Sequence, residues 1–200
     1  MRGAAFLKAA LAAVFCVAAI AAQAQEIEVR SAQLVPQDEG LALNADFAFE
    51  LPPRLAEMVA NGVPLYFVTE FELTRPRWWW FDDKAVAKRM QLRLSYHALS
   101  RQYRLSTGLL QQQFMTLEDA LHVLRRVRNW QVTDRSVALV DANYEAAVRM
   151  RLDTALLPKP FQLSALTSRD LSLESPWRRF VFRPSAMPAD TREAPEAESK

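Results

Sequence analysis

The residues best suited to chemistry or recognition stand together in one short run. Arg77, Trp78, Trp79, Trp80, Phe81, Asp82 and Asp83 combine a cation, four aromatic rings and two carboxylates. Two carboxylates beside aromatic platforms suggest glycoside hydrolysis, which needs the acids roughly 5–10 Å apart across a cleft. Adjacent residues of an extended chain point to opposite sides, so Asp82 and Asp83 fit turn chemistry better, each bonding local backbone N–H groups. Three consecutive tryptophans cannot all enter one core for the same reason. At least one is expected outside it, as a surface for a protein, peptide, sugar or bilayer interface. The competing role is packing, in a second small core beneath the connection. Exposed tryptophan next to charge has the composition of a protein-interaction hot spot, and these seven residues are the candidate partner or ligand surface.

The remaining inventory narrows the chemistry. His97 and His122 are the only histidines, with neither HxH nor HExxH spacing, so neither a metal site nor a cofactor is expected. There is no GxSxG elbow. Past residue 24 the only glycines are Gly40, Gly62 and Gly108, which leaves no phosphate-cradling loop. Arg125, Arg126 and Arg128 could hold an anion, although a solvated basic end of a helix is the plainer reading.

The elements that must position these residues follow from periodicity. Residues 65–74 alternate: Leu65, Phe67, Phe71 and Leu73 on one face, Tyr66, Val68, Glu70 and Glu72 on the other. This is a strand with one buried face, and Pro76 ends its regular pairing. Residues 89–97 alternate in the same way, and the two runs predict a long antiparallel hairpin. Matched registers set Glu70 and Glu72 against Arg89 and Arg93, cross-strand pairs contributing roughly 0.2–1 kcal/mol each. Residues 26–35 and 41–49 read as a further hairpin around Gly40. Pro52 and Pro53 open a short helix with Leu55, Met58 and Val59 inward, stopped at Asn61-Gly62. Strands are predicted at 103–106 and 144–152, and residues 109–114 fit a continuation of the former after a bend at Gly108.

Residues 116–130 make the best helical pattern. Thr116 and Asp119 approximate a capping box. Leu117, Ala120, Leu121, Leu124 and Val127 form an apolar stripe, and acids at the start and arginines at the end suit the helix dipole. Residues 156–160 read as an extended break, and 163–173 are weakly patterned.

The ends of the chain have their own compositions. A basic start, an alanine-rich apolar run and Ala22-Gln23-Ala24 have the form of a cleaved secretory signal over residues 1–24. No stable transmembrane span is expected after cleavage. Cys16 is the only cysteine and lies in that segment, so the exported protein relies on its core and not on disulfides. Removing Arg2 and Lys8 leaves 23 basic residues against 23 acidic, and nothing in that balance calls for nucleic acid. Residues 25–183 form one β-rich domain, and 184–200 have the composition of a disordered tail. With no strand–helix alternation, the fold class is mainly β: an antiparallel β-sandwich of immunoglobulin-like size with one longer and one short α-helix.

The stretches VPLYFVTEFELTRPRWWWFDD, LSYHALSRQYRLSTG and TLEDALHVLRRVRNW together resemble a group of proteobacterial secreted proteins, the family domain-of-unknown-function 4390. The resemblance covers residues 26 to about 184. It implies an envelope location and a link to an envelope sensor kinase, and it brings no activity or catalytic residue. The function expected is that of a periplasmic, non-enzymatic accessory or binding protein, whose partner is an envelope protein such as a sensor kinase outer domain. The alternatives are a carbohydrate- or peptidoglycan-binding module built on Trp78–Trp80 and, more distantly, a hydrolase using Asp82 or Asp83.

Overall fold

The computed structural model describes residues 26–38, 40–75, 83–134, 143–167 and 171–184. Its strands are β1 (Glu28–Gln37), β2 (Gly40–Ala48), β3 (Leu65–Arg75), β4 (Asp83–His97), β5 (Gln102–Thr107), β6 (Leu110–Phe114), β7 (Arg126–Asp134), β8 (Tyr144–Leu152) and β9 (Arg178–Phe182). Among the described residues three helices join them: α1 (Pro53–Ala60), α2 (Leu117–Leu124) and α3 (Lys159–Thr167), with a 3-10 turn at Thr154–Leu156. The protein is mainly β, as its alternating patterns require. All pairings are antiparallel, in a three-stranded sheet ordered β1-β2-β7 and a six-stranded sheet ordered β6-β5-β4-β3-β8-β9.

The strongest alternation in the chain became the central strand. Leu65, Phe67, Phe71 and Leu73 of β3 are fully buried. They share one core with Leu92 and Leu94 of β4, Val148 and Met150 of β8, and Leu43, Ala45 and Phe47 of β2. Two sheets facing one core make a sandwich. Phe49 stacks on Phe67 with ring centroids 5.7 Å apart. The Lys88–Asp134 ion pair, 3.7 Å, ties β4 to β7 and so one sheet to the other.

The β3–β4 hairpin has the predicted form, with Glu70 opposite Arg89. Its second expected charge pair is corrected. Glu72 stands opposite Ala87, and Arg93 stands opposite Tyr66, over whose ring it lies at 6.0 Å. Antiparallel partners run in opposite directions, so with Glu70 opposite Arg89 residue 72 falls opposite residue 87, and joining Glu72 to Arg93 would need a register six residues away.

Helix α1 begins on prolines and buries Leu55, Met58 and Val59. Gly62, at φ +85°, reverses the chain there, and Val63 N–H returns to the Met58 carbonyl. Helix α2 has its predicted cap: Thr116 Oγ1 accepts from Asp119 N–H at 3.1 Å. The helix predicted over 116–130 is nevertheless too long. It stops at Leu124, and residues 126–134 form β7 beside β2. Val127 fits both readings, because the next apolar position of the stripe is also the inward position of Arg126-Val127-Arg128. The strand prevails because β2 offers it a ladder. Asn129, in the left-handed region at φ +51°, absorbs the irregularity there, its N–H donating to Asn44 Oδ1 at 2.8 Å. Helix α2 lies against β5, β6 and β7.

The extended break predicted at 156–160 is also corrected, since Lys159 and Pro160 open α3. A proline in the first helical turn has no N–H to waste and a suitable φ. Leu171 and Leu173 beyond it are fully buried.

Three substitutions test this core. Phe67→Ala is expected to cost about 3–5 kcal/mol in urea unfolding. Gly40 has φ +138°, and a Cβ there would meet the Thr133 carbonyl oxygen at 2.2 Å, so Gly40→Ala should lower stability by about 2 kcal/mol or more. Thr69 is fully buried on the inner face and its hydroxyl has no partner. Thr69→Val, nearly isosteric, should raise stability by about 1 kcal/mol, seen as a higher melting temperature.

Candidate functional site

The sequence-derived surface lies almost wholly outside the described residues. Arg77, Trp78, Trp79, Trp80, Phe81 and Asp82 belong to 76–82, and Asp83 is described only as the first backbone position of β4. The flanks of this segment are well defined. Arg75 and Asp83 pair as the last rung of the longest hairpin. Thr74 pairs with Glu145, Tyr144 with Phe182, and Gly40 with Asp134. The ends of β3, β7 and β9 and the starts of β4 and β8 therefore gather at one end of the sandwich.

Among the described residues, two places concentrate charge. The first is the reverse face of β3. Glu70 is buried there, only 4% exposed, between strands that both present arginine. Arg149 Nε donates to Glu70 Oε2 at 2.6 Å, while Arg89 Nε and Arg151 Nη2 lie 3.1 and 3.5 Å from Oε1. Arg149 is itself covered by the Trp177 ring at 4.7 Å. Burial pushes the Glu70 carboxyl up, but the Arg149 hydrogen bond and the charges of Arg149, Arg151 and Arg89 outweigh it and hold the carboxyl below its ordinary value of 4.5. A general acid needs the opposite shift. Glu70 thus organises cations; it is not poised to release a proton at neutral pH. Arg89 was legible as its partner from the hairpin. Arg149 and Arg151 were not, because β8 reaches β3 from 79 positions along the chain.

The second place is an open groove of about 1340 Å³ between the β1–β2 hairpin and α2. His122, Arg125, Arg126 and Arg128 line it together with Asp46 and Glu118. Because the helix ends at Leu124, these arginines do not share one helix end. Arg125 caps α2, and Arg126 and Arg128 project from β7. Arg125 pairs with Glu118 at 2.5 Å and lies over the Phe49 ring at 5.3 Å. Arg128 pairs with Asp46 and also donates to the Ala45 carbonyl at 3.0 Å. The Ser31 hydroxyl, donating at 2.7 Å, and then Arg128 hold the Asp46 carboxyl below its usual value. The groove therefore presents cations already steered by carboxylates, which suits a ligand or segment of mixed charge.

The histidines serve other ends. His97 Nδ1 accepts from Ser100 N–H at 3.3 Å and lies 3.0 Å from its hydroxyl, which closes the β4–β5 turn. His122 lies exposed on α2. Among the described residues no three His, Cys, Asp or Glu side chains group to hold a metal ion, and no helix is long and apolar enough to cross a membrane.

Fold and site define a two-sheet antiparallel protein with one apolar core and charge organised on its outer surfaces. The chain belongs to the family Domain of unknown function (DUF4390), whose model matches residues 24–181. No curated protein and no solved structure matches it.

The Glu70 cluster predicts a direction with pH. Its folded carboxyl value is depressed, so its contribution to stability is complete above about pH 4.5 and is lost as pH falls through the folded value. Glu70→Gln should destabilise by about 1–3 kcal/mol at pH 7 and flatten the acid limb of a stability–pH profile measured by urea titration.

Proposed function

We propose that the protein is a periplasmic, non-enzymatic accessory or binding protein, and that it meets an envelope protein through Arg77, Trp78, Trp79, Trp80, Phe81, Asp82 and Asp83. The observation that supports this reading is the pairing of Arg75 with Asp83. It makes the tryptophan-bearing segment the connection of the longest hairpin, at the end of the sandwich where several strands begin and finish. Tryptophan and arginine are the residues that most often anchor interfaces. The outer domain of an envelope sensor kinase is the partner suggested by the family's association, and cell-wall glycan is the competing ligand.

The test uses Trp79→Ala in the exported protein. Binding of the purified sensor kinase outer domain should fall at least tenfold while the melting temperature stays within about 2 °C. Quenching of tryptophan fluorescence by soluble muropeptides, abolished by the same substitution, would establish the glycan reading instead. Unchanged binding in both assays, or a large loss of stability, sinks the proposal and makes the tryptophans structural.

A further inference from the structure

Among the described residues the two sheets have four edge strands: β1 and β7 in one, β6 and β9 in the other. An open edge presents unpaired N–H and C=O groups, and proteins blunt such edges with charge, proline, bulges or twist. Three of the four are blunted in this way. β1 carries Glu28, Arg30 and Pro36 and an irregular register between Val29 and Ser31. β7 carries Arg126, Arg128 and Asp134 and two register shifts against β2. β9 carries Arg178 and Arg179. β6, Leu110-Gln111-Gln112-Gln113-Phe114, has no charge, no proline and a regular register against β5.

The turn before β6 fixes which of its groups are free. Thr107 pairs with Leu110 across the two-residue turn Gly108-Leu109, with Gly108 at φ +54°. The closing pair of such a hairpin is hydrogen-bonded, and bonded pairs alternate along an antiparallel ladder. Leu110, Gln112 and Phe114 therefore bond toward β5. The backbone N–H and C=O of Gln111 and Gln113 point to the open edge.

We infer that β6 pairs with β6 of a second copy of this chain, antiparallel about a twofold axis through Gln112. This register sets Gln111 against the partner's Gln113, so the four free backbone groups on each strand find four on the other. It also sets Leu110 against the partner's Phe114, and Leu109 against the partner's Met115. Leu109, Leu110 and Met115 are all strongly exposed large apolar residues in the single chain. The match is isologous: one patch complements itself. An uncharged strand can do this without like-charge repulsion, whereas β9 would bring arginine against arginine. The paired area is small beside the roughly 800 Å² per partner of a standard interface, so the dimer is weak and concentration-dependent, with a dissociation constant on the order of 100 µM.

Sedimentation velocity on the exported protein, from about 5 to 500 µM, reads this directly. The wild type should move from monomer to dimer across that range. Gln113→Pro removes an outward N–H and leaves the β5 ladder intact; Gln112→Lys sets two cations together at the axis. Each should hold the chain monomeric with an unchanged melting temperature, and the second keeps the test decisive if the proline disturbs the fold. In the wild type, exchange of the Gln111 and Gln113 amides should slow as concentration rises. A wild type that stays monomeric at 500 µM overturns the inference. So does a dimer that survives both substitutions, or a monomer in which an added extended peptide protects those two amides.

Discussion

The constraint on which the structure depends is that β3 must be satisfied on both faces and both edges at once. Its inner face carries Leu65, Phe67, Phe71 and Leu73 into the core. Its two edges are laddered to β4 and β8 along most of its length. Its outer face buries Val68 and Glu70 and leaves Tyr66 and Glu72 half-buried, and the flanking arginines cover Glu70. A carboxylate removed from water is costly unless its charge is compensated. Here one strand supplies the acid and two neighbours supply the cations, so the register of β8 against β3 is specified by electrostatics as well as by apolar packing. A slip by one residue would turn Glu70 toward the core and Phe71 toward solvent.

The same economy of charge recurs around the groove. Arg125 and Arg128 leave consecutive elements but are held by Glu118 and Asp46, from α2 and β2. The Arg128–Asp46 pair, with Phe47 N–H donating to the Arg125 carbonyl, pins the end of α2 and the beginning of β7 to the three-stranded sheet. The conversion from helix to strand within two residues has a physical cause: β2 would otherwise keep an unpaired edge, and β7 supplies its ladder while Val127 and Val132 stay buried. Surface charge in this protein positions backbone elements, and the cations that line the groove are consequently well oriented.

How much of this was legible beforehand depends on distance along the chain. The β3–β4 hairpin, the turn at Gly40, the α1 boundaries and the Thr116 cap are encoded within a few residues, where alternation, glycine and side-chain oxygens act directly. The stretch 116–130 shows where local reading stops. Its apolar stripe satisfies a helix as far as Leu124, and nothing in the next six residues says that a strand 80 positions earlier needs a neighbour. Pro158 and Pro160 pose a related ambiguity, because proline ends one element and begins another equally well.

The sequence by itself determined the faces of β2, β3, β4 and β8 and the starts of α1 and α2, because each is a property of neighbouring residues; that 110–114 form the edge strand β6 was decided by the sheet order. The sequence also placed the tryptophan run next to charge. Only the tertiary structure decided that β8 lies beside β3, that Arg149 and Arg151 converge on Glu70, and that Arg125, Arg126 and Arg128 line a groove rather than one end of a helix. Those outcomes join residues tens of positions apart. They are selected by the simultaneous burial of apolar faces and pairing of buried charge, which no local period records.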